Sequence, residues 1–143
     1  ADVCGAKPLE QSRIDGFLDR TLLFARDVQP YLLANGGEDF PRHHATMTET
    51  FESYLEGVER ALGTSAFLAG DTLSLADIVF ACELCLLSNE GRFAKALDEA
   101  GLDQLMPRLP DYPNAWAHLQ RLAGEANFAE DLAPYFVRMG VAE

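Results

Sequence analysis

The chain has 143 residues, enough for one domain of common size with a core of its own. Hydrophobic residues make up 48%, which excludes a disordered chain, and no unbroken apolar run approaches the roughly 18 residues of a membrane span. A net charge of -12 with scattered basic residues leaves little to neutralise phosphates, so neither nucleic acid nor a membrane is expected as a partner.

Pro8 suits the first turn of a helix, and with Glu10 behind it a periodic run continues to about Ala34. Ile14, Leu18, Thr21, Ala25, Val28 and Leu32 mark its apolar stripe, widened by Phe17, Phe24 and Tyr31. Pro30 is expected to kink or end this helix. Asn35-Gly36-Gly37 is a strong stop, after which Pro41 begins a second run through Met47, Phe51, Tyr54, Leu55, Val58 and Leu62, closed by Gly63. Two long helices on a short loop predict an antiparallel pair.

The stretch from Phe67 to Leu87 holds a complete helix start. Ser74 is a good N-cap, its hydroxyl able to accept from the Asp77 N–H while the Asp77 carboxylate reaches back to the Ser74 N–H. Leu73 and Ile78 are spaced as a hydrophobic staple around that cap. From Ile78 to Leu87 almost everything is apolar, so a buried central helix is expected, with Ser74 and Asp77 in a structural role.

A break near Asn89 to Gly91 precedes a short helical piece ending at Gly101, and Pro107 and Pro110 punctuate the next connection. Asp111 is placed to cap a helix bearing Trp116, Leu119 and Leu122. Phe128 to Met139 carries Pro134 in its middle, which predicts a turn and a loosely helical tail. With no period-two alternation, the expected fold is all-α, a bundle of five or six helices in one domain over residues 1–143.

Motifs for self-sufficient catalysis are absent from this sequence. Cys82 and Cys85 match the bare Cys-x-x-Cys pattern, but inside an apolar helix they read as core packing. An odd total of three cysteines, with Cys4, suits reduced thiols in a cytoplasmic protein. His43 and His44 are adjacent and His118 is remote, so no metal site is predicted, and each reads as an ordinary surface or half-buried histidine. Opening on Ala1 rather than methionine points to a processed or excised piece of a longer protein.

Phe67-Leu68-Ala69-Gly70-Asp71 followed by Leu73-Ser74-Leu75-Ala76-Asp77-Ile78 resembles the signature of the C-terminal helical domain of cytosolic glutathione transferases. The run from Leu9 to Leu18 is similar to that domain's first helix, and Tyr112-Pro113 with Trp116 to a late one. The resemblance implies the electrophile-binding half of an enzyme whose thioredoxin-like domain, absent from this chain, holds glutathione and the catalytic group. No catalytic residue is then expected here, and glutathione is a cosubstrate only once that domain is supplied in cis or in trans. On the first helix Asp15, Leu22 and Arg26 are the expected substrate-binding residues, and the resemblance makes Asp19 the carboxylate that reaches glutathione bound to the neighbouring subunit. A hydrophobic small molecule and a second copy of the chain complete the expected partners. The alternative is a non-catalytic assembly module, for which an exposed Phe24, Tyr31 or Phe51 would mark the partner surface.

Overall fold

The computed structural model describes residues 3–139, and among them it is all-helical, with six α-helices and no strand. Helix α1 spans Pro8–Leu33 and α2 Phe40–Leu62. Glu10 starts α1 by accepting the backbone N–H groups of Ala6 and Lys7 at 3.2 and 3.3 Å, which occupies donors that the first turn leaves without helical partners. The helix continues past Pro30 to Leu33 instead of breaking there; the ring stands so close to the end that only the final turn has to tolerate its missing N–H. Gly36, at φ 72°, takes the left-handed conformation that reverses the chain.

Contacts between α1 and α2 run in opposite directions along the two sequences, which makes the pair antiparallel. Arg20 lies over Gly57, the Thr21 and Tyr54 hydroxyls are 2.9 Å apart, and Thr50 donates to Asp27 at 2.6 Å. The buried side of α1 is Ile14, Thr21, Phe24, Val28 and Tyr31, so the stripe is centred nearer the aromatic positions than Leu18, Ala25 and Leu32 suggest. Phe24 and Tyr54 pack with ring centres 4.7 Å apart at a 35° tilt, and the larger area of the aromatics decides which face turns inward.

Helix α3, Leu75–Leu87, buries Ala76, Asp77, Phe80, Ala81, Leu84, Cys85 and Leu87 against α1 and, at its start, against the later chain. A tight 3₁₀ stretch, Ser88–Phe93, leads into α4, Ala94–Glu99. Gly101, at φ 68°, closes α4, with Leu102 N–H returning to the Leu97 carbonyl and Gly101 N–H to that of Asp98, a Schellman stop. A second 3₁₀ stretch, Met106–Asp111, precedes α5, Pro113–Gly124, and α6 follows at Ala129–Phe136. A turn and a loosely helical tail were expected here; α6 instead runs through Pro134 and ends two residues later, so only its last turn has to tolerate the missing N–H.

Asp111 does not cap α5. The helix begins after Tyr112, and its cap comes from α2: Glu59 Oε1 accepts the Asn114 N–H at 3.0 Å and Oε2 the Ala115 N–H at 2.9 Å. A carboxylate beside two unpaired N–H groups at a helix N-terminus also complements the helix dipole.

Candidate functional site

The residues expected to face a ligand lie on α1, and their spacing of four, three and four puts Asp15, Asp19, Leu22 and Arg26 on one outward side. All four are exposed, Leu22 at 68%. Leu33, farther along the same side, is 84% exposed. Arg26 is the member of the set with an ion pair, donating from Nε to Asp27 Oδ1 at 3.1 Å. Burial pushes the Asp27 carboxyl up, but hydrogen bonds from Arg26 and Thr50 outweigh it and hold the group below the usual carboxylate range.

Between this side and α2 runs an open cleft of about 470 Å³. Of the four expected residues, Arg26 alone reaches it; the rest of the lining comes from neighbouring turns, with Arg20, Leu23 and Asp27 on α1 facing Glu49, Thr50, Ser53, Glu56 and Arg60 on α2. Phe24 and Tyr54 seal its floor at 0% and 5% exposure. The walls carry three arginines and three carboxylates, so the cleft is polar and electrically balanced. The Arg20 guanidinium enters because position 57 is glycine: a Cβ there would stand 2.6 Å from Arg20 Nη1.

A second polar cluster is buried at the start of α3. Asp77, 0% exposed, accepts from the Leu68 N–H at 2.9 Å, the Ser74 N–H and the Ser74 hydroxyl at 2.8 Å each, and the His118 ring at 2.8 Å. Ser74 and Asp77 stand in capping-box geometry. Desolvation raises the Asp77 carboxyl; donation from His118, Leu68 and Ser74 overrides it, leaving the group below its ordinary value. His118 is 3% exposed, a correction to its reading as a surface or half-buried residue. Its burial follows from the carboxylate that α3 turns toward α5, a pairing across 41 positions that helical spacing cannot reveal.

A second buried carboxylate, Glu90 in the first 3₁₀ stretch, accepts from Tyr31 Oη at 2.8 Å and from Met106 N–H at 2.6 Å. Desolvation dominates there and raises its pKa against those hydrogen bonds. Sequence reasoning passed over Glu90; the one signal for it was a charge next to the break after a mostly apolar helix.

The cysteines separate. Cys85 is buried, but Cys82 is exposed, because α3 turns Phe80, Ala81 and Leu84 inward and leaves position 82 on its open side. Burial raises both thiols, Cys85 to about 12, which disfavours the reactive thiolate. No group of three or more His, Cys, Asp or Glu able to hold a metal ion occurs among the described residues. None of the helices is long and apolar enough to cross a membrane, again among the described residues. Phe24, Tyr31 and Phe51 are all 0% exposed, so none of them marks a partner surface; among the described residues the exposed large apolar side chains are Leu9, Leu22, Leu23, Leu33 and Val137.

No curated protein and no solved structure gives a significant match to the chain. The family described as "Glutathione S-transferase, C-terminal domain" matches residues 41–121, more than half of the sequence, from the start of α2 almost to the end of α5. That match spans the capped start of α3 and the Asp77–His118 cluster, and the all-helical fold agrees with it: the chain belongs to the glutathione S-transferase C-terminal domain family.

Proposed function

We propose that this chain is the electrophile-binding, helical half of a glutathione transferase, working with a thioredoxin-like half in cis or in trans. The observation that carries the reading is the outward side of α1, where Leu22 and Leu33 stand in water on a helix that turns Phe24, Val28 and Tyr31 into the core. Apolar area left open in this way favours a covering partner. In this arrangement the thioredoxin-like half binds glutathione and activates its thiol. Asp19 meets the glutathione ammonium, Leu22 supplies apolar wall to a hydrophobic electrophile, and Arg26, steadied by Asp27, meets a negative group at its edge. The raised thiols of Cys82 and Cys85 support placing the nucleophile outside this chain. A reducing, cytoplasmic setting and pairing with a second copy of the chain belong to the same reading.

The test combines the chain with a thioredoxin-like half and follows thioether formation with a reactive aryl halide. Conjugation above the rate of either half alone is expected, and Leu22→Asp with Leu33→Asp should abolish it while leaving the melting temperature of the isolated chain unchanged. No conjugation across several electrophiles, together with no glutathione affinity in the combined protein, sinks the enzyme reading and leaves the assembly module.

A further inference from the structure

His118 sits between two opposite demands. On one side its Nε2 is 2.8 Å from Asp77 Oδ1; on the other its Nδ1 is 2.7 Å from Arg121 Nη2. A guanidinium nitrogen can only donate, so Nδ1 is the acceptor, the ring proton is on Nε2, and the imidazole is neutral in this arrangement. The same Arg121 Nη2 donates to the carbonyl oxygen of Ala66, and its guanidinium carbon lies 4.3 Å from the centre of the Phe67 ring. Phe67 in turn meets the edge of the His118 ring at 5.8 Å. One arginine, held in place by one imidazole nitrogen, therefore fastens the connection between α2 and α3 onto α5.

We propose that His118 and Arg121 form a proton-operated latch: a proton on His118 Nδ1 expels Arg121 from the ring and releases the Ala66–Phe67 segment. A protonated Nδ1 has no lone pair to offer, and two cationic donors would be left facing each other. The release stays local. From α3 the imidazole faces Asp77 and the Phe80 ring, from α5 Arg121, and from the connection the uncharged Phe67. Protonation strengthens the Asp77 pair while it breaks the Arg121 hydrogen bond, so α3 and α5 remain tied, with Leu68 still held on Asp77, as the Ala66–Phe67 stretch alone comes free. The segment that lets go, with Ser65, Ala66 and Arg121, borders a pocket of about 260 Å³ that also reaches His118 and Leu62. Opening the latch thus widens the mouth of that pocket.

The experiment is a nuclear magnetic resonance titration of the whole chain from about pH 8 to about pH 5. The His118 ring carbon signal reports protonation, and the Ser65, Ala66 and Phe67 amide shifts report the segment. All are expected to follow one curve, with hydrogen-exchange protection at Phe67 falling about tenfold across it while protection along α3 holds. In Arg121→Gln, which removes the charge at an exposed position, Phe67 protection should already be low at the alkaline end and indifferent to the His118 titration. Amide shifts that stay flat while His118 titrates overturn the latch, as does a ring that remains neutral until the chain unfolds globally. Phe67 protection that is the same in Arg121→Gln and in the parent chain does so too.

Discussion

Replacing Asp77 by Ala tests whether the start of α3 is a local helix cap or the meeting point of three parts of the fold. Removing a side-chain cap from a helix end costs on the order of 1 kcal/mol, the figure expected for Ser74→Ala. Asp77 serves more than the cap: its two oxygens take four hydrogen bonds, from Leu68, from Ser74 twice and from His118. Without the carboxylate the Leu68 N–H and the His118 N–H are left in a place without water, where each orphaned donor costs about 1–3 kcal/mol. Allowing for relaxation and non-additivity, Asp77→Ala should cost about 3–5 kcal/mol, several times the Ser74→Ala penalty. Urea unfolding followed by far-ultraviolet circular dichroism measures both. The same experiment against pH fixes the cause. Asp77 has a folded pKa below its unfolded value, so its stabilisation is present above the ordinary aspartate value, about 3.8, and is lost as pH falls through the folded pKa. The gap between parent and variant must therefore narrow in acid. If Asp77→Ala and Ser74→Ala cost the same, about 1 kcal/mol with no pH dependence, the hub account is wrong and the carboxylate is only a cap.

Glu90 has the opposite sign. Its folded pKa is raised, so its share of stability is complete below the ordinary glutamate value and is lost as pH rises through the folded pKa; Glu90→Gln should gain on the parent by about 1 kcal/mol between acid and neutral pH in denaturant titrations. Glu59→Ala removes the cap that α2 supplies to α5 and should cost about 1–2 kcal/mol, with early exchange of the Asn114 and Ala115 amides as its mark. Gly16→Ala meets nothing within 4 Å and should stabilise α1 by about 0.5–1 kcal/mol, read as a raised melting temperature. Gly57→Ala should gain somewhat less, because the Arg20 tip must swing aside, a movement that its flexible side chain allows.

What the sequence made legible was local. The periodic apolar faces, Gly36 between the first two helices, Gly101 after α4 and the Ser74–Asp77 spacing are all signals carried by residues a turn or so apart, and the family resemblance rests on the same stretch. What it hid was set across the fold. The cap of α5 comes from Glu59, over 50 positions away, so the nearby Asp111 was the natural but mistaken candidate. His118 read as an ordinary histidine because its partner lies on another helix. Cys82 and Cys85 look alike in a greasy run, and only the packing of α3 separates the exposed thiol from the buried one. On α1 the helical spacing grouped Asp15, Asp19, Leu22 and Arg26, but the cleft beside them belongs mostly to residues one step round the helix, because its position depends on where α2 lies.

The Glu59 cap also bears on how the chain comes apart. A helix whose first turn is secured by its own residues can persist, frayed, after its neighbours leave; α5 has no such independence at its N-terminal end. Detaching α2 would strip Asn114 and Ala115 of their acceptors in the same event, and α5 carries His118, through which the start of α3 is held. Loss of order should therefore spread from the second helix to the fifth and on to the third, giving one sharp transition in place of a helix-by-helix melt.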